Sequence, residues 1–332
     1  MPISFKNKTI LITGATGSFG RAFVDHILKK HGDISKLIIF SRDELKQFLM
    51  QNEIDKNKLK KVRFFLGDIR DKERLIKAFE NVDIVIHAAA LKQVPAAEYN
   101  PFEFVKTNIL GSQNIIDAAL INNVKNVLAL STDKAVAPIN LYGATKLCAE
   151  KLFISANNIS GNKDIKFSVV RYGNVFGSRG SIISKLLEEK KNKKFNLTNP
   201  EMTRFNISLQ EAVMLVLHSL RSSLGGEIFV PKLKSYKLLD LARSICTKSK
   251  IICNGNRPGE KIHEEMISKD DATNTFIDKK YYIIANPILE KEFLYYKNNF
   301  KNVKKNFCLS SDNVERLTVK ELKTIVSDYE KN

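Results

Sequence analysis

The feature that most constrains this chain is an apolar strand that runs without a break into a glycine loop and then a helix. Thr9-Ile10-Leu11-Ile12 is a short run of the kind that lies buried in a sheet. Thr13-Gly14-Ala15-Thr16-Gly17-Ser18-Phe19-Gly20 follows at once, and Arg21 to Leu28 has a helical pattern. Glycines in such a loop permit a tight turn and let the main chain approach a pyrophosphate held at the helix N-terminus. Their spacing is G-x-x-G-x-x-G rather than G-x-G-x-x-G, so the loop gains its weight from the strand and helix around it. Further strand patterns at Leu37–Phe40, Val62–Leu66, Asp83–His87, Val127–Ser131 and Phe167–Tyr172 alternate with helical stretches. That alternation predicts an α/β fold with a doubly wound parallel sheet of the Rossmann kind.

Ser131-Thr132-Asp133-Lys134 closes the fifth of these strands, and Tyr142-Gly143-Ala144-Thr145-Lys146 opens the next helix. Tyr142 and Lys146 fall one turn apart on a single face. A phenol titrates near ~10 and is a poor base at neutral pH unless a cation lowers that value. Lys146 is placed to do so. Hydride transfer needs only the phenol and the cation. Asp133 and Lys134 add an acid-capable and a base-capable group, which points to a second chemical event, the removal of water. The bland alternative for this pair is a loop cap and a surface cation.

With these residues in view, the chain resembles the extended short-chain dehydrogenase/reductases that modify nucleotide sugars. Within them it resembles the inverting UDP-N-acetylglucosamine 4,6-dehydratases. The resemblance runs over roughly residues 5–268 and rests on the glycine loop, the Ser131–Lys146 block, Arg171-Tyr172-Gly173-Asn174-Val175, Pro200-Glu201-Met202-Thr203-Arg204-Phe205 and Arg257-Pro258-Gly259-Glu260-Lys261. Asn206 departs from the family pattern, which carries a bulky aromatic there, usually Trp. Thr-Asp-Lys at 132–134 is similar to the UDP-N-acetylglucosamine enzymes, whereas the dTDP-glucose dehydratases use Thr-Asp-Glu. Retaining relatives have Met at the place of Tyr142.

The resemblance implies roles. Thr132 bonds the sugar C4 oxygen, Tyr142 takes the C4 hydroxyl proton, and Lys146 lowers the Tyr142 pKa and holds the nicotinamide ribose. Lys134 removes the C5 proton, Asp133 protonates the leaving C6 hydroxyl, and C5 is inverted to an L-arabino 4-keto-6-deoxy sugar. Gly14, Thr16, Gly17, Ser18, Phe19 and Gly20 hold the cofactor, with Asp68 at the adenine amino group and Ile69 beside it. The alternative role for Asp68 is a helix cap. Ala88 and Ala89 are small enough for the main chain to pass under the cofactor, and Lys92 reaches phosphate or substrate. Asn174 and Val175 face the sugar or its diphosphate, as does Met202. Arg179, Arg204 and Arg257 are clamps for phosphate and uracil, and Glu260 accepts from a ribose hydroxyl. Ser41 and Arg42 end the second strand, with Lys46 close behind. A forked guanidinium there suits a 2′-phosphate, which favours NADP. The alternative is Asp43 holding the ribose of NAD.

These pieces predict two lobes. Residues 1–175, with 206–232 returning to them, form the NADP-binding Rossmann domain. Residues 176–205 and 233–332 form a smaller α/β substrate-binding lobe. The net charge of +18 comes from lysines spread through 332 residues. The dense runs Lys56–Lys61 and Lys190–Lys194 are not interleaved with aromatics, so nucleic acid is not the expected partner. The four cysteines form no C-x-x-C pair and have no His at zinc spacing, so no metal site is expected. No apolar leader and no run of about 18 apolar residues is present, which points to a cytoplasmic protein without a membrane span. Helices near 103–121 and 144–158 pair between subunits in the family, so a homo-oligomer, a dimer or higher, is expected. The rival functions are a UDP-N-acetylglucosamine C4 epimerase and a non-catalytic NADP-binding protein of the same fold.

Overall fold

The computed structural model describes residues 5–178, 181–190, 194–248 and 250–331. Six parallel strands build the first half: β1 (Thr9–Thr13), β2 (Lys36–Ser41), β3 (Val62–Leu66), β4 (Ile84–His87), β5 (Asn126–Thr132) and β6 (Lys166–Tyr172). They lie in the order β3-β2-β1-β4-β5-β6, which is the Rossmann order with its reversal between β1 and β4. All six expected strands are present, with ends moved by a residue or so.

The strands are apolar on both sides because helices cover both faces. Ile10 and Ile12 pack with Val24 and Ile27 of the helix Ser18–Lys30 and with Val213 and Val216 of the helix Leu209–Ser222. Leu11 points the other way, into a core with Val85, Ile115 and Phe153. Alternate residues of one strand thus feed two cores.

The sheet does not stop at β6. Ile228–Pro231 adds a seventh parallel strand, and Tyr281–Ile284, Thr275–Asp278 and Lys301–Asn302 continue it antiparallel to ten strands. This corrects the expected lobe boundary, because residues 275–302 extend the large sheet. Phe276, Ile283 and Tyr296 are buried in the same core as Phe229. The Tyr296 hydroxyl also donates to the buried Glu227 carboxylate at 2.9 Å.

The smaller lobe has its own core of Ile183, Leu186, Phe195, Tyr236, Leu241 and Leu322. Leu322 belongs to the helix Val319–Lys331, so the C-terminal segment closes this lobe. Among the described residues no helix is long and apolar enough to cross a membrane, and no His/Cys/Asp/Glu group could hold a metal.

Candidate active site

A cleft of about 680 Å³ opens at the carboxyl ends of the strands, across the β1/β4 reversal. At one end is the glycine loop. Gly14 has φ +67°, and a Cβ there would lie 2.8 Å from the Ala89 amide nitrogen. The loop and the Ala88-Ala89 chain therefore pass closer than any side chain allows. The helix Ser18–Lys30 begins on Gly17 with no side-chain cap and no acid in its first turn, so its N-terminal end suits an anion. Behind the loop, the Thr13 hydroxyl accepts from the amides of Ala88 and Ala89, both at 3.2 Å, and bonds His87 Nδ1 at 2.9 Å. Burial pushes His87 down to about 3, so it is a neutral brace. The sequence reading missed this pair.

All the expected cofactor residues line the cleft: Gly14, Thr16 to Gly20, Ser41, Arg42, Lys46, Asp68, Ile69, Ala88, Ala89, Lys92, Tyr142 and Lys146. Asp43 caps the helix Glu44–Glu53 through the Lys46 amide at 2.9 Å and is also bonded by the Lys46 ammonium. Its carboxylate is already engaged. Arg42 is half exposed, 3.7 Å from Asp68. Asp68 accepts from the Arg70 side chain and amide. Burial raises the Asp68 carboxyl, but these hydrogen bonds outweigh it and hold it below the ordinary range. The buried Ser131 hydroxyl on the same wall has no hydrogen-bond partner among the described residues. The close-packed loop, the open helix end and this orphan hydroxyl fit a dinucleotide.

The chemistry-bearing groups meet at the other end. Asn140 caps the helix Leu141–Ser155 by accepting from the Gly143 amide at 2.8 Å. A Cβ on Gly143 would overlap the Lys134 carbonyl, so the two motifs are pressed together. Lys146 Nζ donates to the Leu130 carbonyl at 2.7 Å, and burial lowers its pKa to about 8. Tyr142 differs from expectation. Burial pushes its phenol up, and the largest pulls downward come from the Lys134 ammonium and a Thr132 hydrogen bond.

Lys134 also differs. Its ammonium has three N–H groups and three acceptors: Asp133 Oδ1 at 3.0 Å, Asn174 Oδ1 at 3.1 Å and Glu264 Oε1 at 3.2 Å. Burial favours the neutral amine, but Asp133 and Glu264 outweigh it and raise the pKa. Lys134 is therefore protonated before substrate arrives, and can act as the expected base only after losing a proton. Asp133 is fully buried, and burial pushes its carboxyl up, with Glu264 adding to the rise. It is not on the cleft wall. Its Oδ1 reaches the cleft only through Thr132 Oγ1 and Lys134 Nζ, each at 3.0 Å. Glu264 was not singled out in the sequence. It is 2% exposed, and burial raises its carboxyl less than Lys134 and Arg204 lower it. Two carboxyls pushed in opposite directions around one ammonium suit acid–base work.

The expected substrate residues are only partly assembled. Lys92, Asn174 and Val175 line the cleft. Met202, Arg204, Arg257 and Glu260 do not. Met202 is buried in the small-lobe core. Arg204, 5% exposed, spends its guanidinium on the carbonyls of Thr203, Lys261 and Ile262. It is a brace for the 257–264 loop and not a clamp facing the cleft. Glu260 lies 3.6 Å from Arg204, and Arg257 is exposed. Arg179 lies outside the described residues. Asn206 is off the cleft wall, and its side-chain oxygen is buried without a hydrogen-bond partner among the described residues. Another residue absent from the sequence reading is Asn108, in a π-helical turn. It bonds the Leu91 amide and carbonyl and the Thr145 hydroxyl, tying the cleft wall to the Tyr142 helix.

A Rossmann sheet, a glycine loop and a Tyr-x-x-x-Lys helix define a short-chain dehydrogenase/reductase. The family described as polysaccharide biosynthesis protein matches residues 10–286, and the chain belongs to it. An inverting UDP-N-acetylglucosamine 4,6-dehydratase of Campylobacter jejuni is 48% identical over 335 residues, covering 98% of this chain and 99% of its own. A UDP-glucose 4-epimerase of Rickettsia bellii is 41% identical over 333 residues, covering 97% and 96%. The crystal structure of Pen from Bacillus thuringiensis superposes with a TM-score of 0.90 at 37% identity, over 99% of both chains.

Proposed function

We propose that this chain is an NADP-dependent UDP-N-acetylglucosamine 4,6-dehydratase, a hydro-lyase that inverts C5. The observation that carries the reading is the Asp133–Lys134–Glu264 cluster beside Tyr142, because an acid–base group next to the redox pair suits elimination. The near full-length similarity to the Campylobacter jejuni dehydratase supports it.

A nicotinamide cofactor held by the glycine loop, Arg42, Tyr142 and Lys146 would supply the hydride acceptor for sugar C4 and the hydride donor for C6. The chain's own groups move the protons. Thr132 donates to the C4 oxygen while Tyr142 accepts the hydroxyl proton, with Lys134 and Lys146 as nearby cations. The C4 ketone acidifies the C5 hydrogen, which Lys134 removes after passing one of its own protons to a neighbouring carboxylate. The proton for the leaving C6 hydroxyl comes from Asp133, through Thr132 or Lys134. Water leaves, and a proton returns to C5 from the opposite face. The alternative, a C4 epimerase, is favoured by the Rickettsia bellii relative. An epimerase has no task for Asp133 and Lys134.

Three further proposals accompany this one. The cofactor is NADP rather than NAD, supported by Arg42 on the cleft wall and by Asp43 being tied up in its cap. The protein acts in the cytoplasm, where activated sugars are found, as a homo-oligomer. Its product feeds a modified sugar for surface glycans or flagellin, such as pseudaminic acid.

The test is an NMR time course of UDP-N-acetylglucosamine turnover in heavy water. A 4-keto-6-deoxy product with L-arabino ring couplings and deuterium at C5 is expected. UDP-N-acetylgalactosamine without a keto product overturns the dehydratase, and an initial D-xylo product overturns inversion alone. Unchanged sugar with bound NADP overturns the enzyme.

A further inference from the structure

We infer that Glu264 governs Lys134 as a positioning residue: its carboxylate holds the ammonium in place and takes the proton that Lys134 must shed before it can draw the C5 hydrogen. The inference rests on the dehydratase reading and goes beyond it. Lys134 Nζ has all three protons committed, to Asp133, Asn174 and Glu264. An amine becomes a base only when one of these acceptors takes a proton. The Asn174 amide oxygen is a poor acceptor of a full proton. Asp133 is the acid of the proposed elimination and has to hold its own proton. Glu264 remains.

The geometry suits that role. Glu264 Oε1 lies 3.2 Å from Lys134 Nζ, while Oε2 is buried with no hydrogen-bond partner among the described residues. The backbone around Glu264 is fixed from the C-terminal segment. Its amide donates to the Ser311 hydroxyl at 2.9 Å, and the Ser311 amide donates to the Glu264 carbonyl at 2.8 Å. The charged and titratable groups facing it are Asp133 and Lys134 from the end of β5, Tyr142 from the following helix, Arg204 Nε at 3.8 Å from the strand Thr203–Phe205, and Lys261 from its own loop. Proton transfer breaks one N–H bond of Lys134 and forms one O–H bond on Glu264. It converts a buried ion pair into a neutral pair, which a dry site tolerates. Lys134 then accepts the C5 proton, and the cluster resets when Glu264 returns its proton through Lys134 to Asp133, which has given its own to the leaving hydroxyl.

The experiment compares wild type, Glu264→Gln and Glu264→Asp as full-length proteins, after checking that thermal melting and NADP affinity are retained. Removing a negative neighbour lowers the pKa of both Asp133 and Lys134. The kcat–pH profile of Glu264→Gln is therefore expected about one unit to the acid side of wild type. In a single turnover it forms reduced nicotinamide that persists, because C4 is oxidised while C5–H exchange is slowed ~100-fold. Glu264→Asp restores the carboxylate and the wild-type profile. A Glu264→Gln profile that superposes on wild type overturns the inference, as does C5 exchange that keeps pace with hydride transfer. Glu264→Asp behaving like Glu264→Gln overturns it too. If Glu264→Gln does not fold, Glu264→Asp decides: a wild-type profile supports the inference and a shifted one overturns it. If wild type makes no keto sugar, the dehydratase reading fails instead.

Discussion

At the scale of single residues, two opposing effects meet at Tyr142. Burial stabilises the neutral phenol, and the Lys134 ammonium stabilises the phenolate. Tyr142→Phe keeps the ring and removes the group proposed to take the C4 proton. Turnover is expected to fall ~10²- to 10⁴-fold with the melting temperature unchanged, read by product formation and calorimetry. Normal turnover by a folded variant would remove Tyr142 from the mechanism. Arg42 carries a second prediction. It is on the cleft wall, 3.7 Å from Asp68, so its guanidinium is placed for a 2′-phosphate. Wild type is expected to bind NADP at least ~10-fold more tightly than NAD, and Arg42→Ala to lose that preference in calorimetric titration. Equal wild-type affinities would count against it. Tyr142, Lys146, Thr132 and Lys134 were legible because their spacing is local. Glu264 was not, because it is 130 positions from Lys134 in sequence, and nothing local separates it from Glu260 or Glu265. The burial of Arg204 was hidden for the same reason, since its partners are carbonyls, which a sequence does not display.

At the scale of elements, the first six strands were readable because each is a largely apolar run bounded by turn residues, and all but the edge strand β3 are buried on both faces. The last third was harder. Thr275–Asp278 and Tyr281–Ile284 are four-residue strands joined at Lys279-Lys280, and only pairing with Ile228–Pro231 reveals that they extend the large sheet. The helix Leu209–Ser222 connects the lobes. It leaves the Thr203–Phe205 region of the small lobe and covers β1 of the large sheet. Its start is fixed by a capping box, in which the Ser208 hydroxyl accepts from the Glu211 amide while the Glu211 carboxylate accepts from the Ser208 amide. Ser208→Ala removes one half of this reciprocal pair. The expected cost is about 1 kcal/mol, with a fall in melting temperature of about 2 °C by differential scanning calorimetry. No change in melting would mean that the helix start is held by its buried apolar face alone.

At the scale of the whole molecule, the outer surface of the Rossmann half matters. The stretch Pro101–Ile121 packs inward through Phe104, Ile115 and Ala119, yet Phe102, Leu110 and Ile121 are 61%, 49% and 53% exposed. Leu110 and Ile121 are eleven residues apart, close to three helical turns, and so fall on one side of the rod. The adjoining helix Leu141–Ser155 exposes Cys148 and Lys151 and carries Tyr142 and Lys146 on its inner face. A two-fold pairing of these helices would cover the apolar side chains and stiffen the helix that holds the catalytic pair, linking assembly to the site without a partner residue entering the cleft. Light scattering after gel filtration is therefore expected to give a dimer or a multiple of one. Ile121→Glu puts a charge at the C-terminal end of that apolar stripe, and burying it unpaired would cost several kcal/mol. The variant should shift toward monomer, with reduced turnover and intact NADP binding, since the glycine loop lies on other elements. A wild-type monomer at micromolar concentration, or an Ile121→Glu variant with unchanged mass, would place the subunit contact elsewhere.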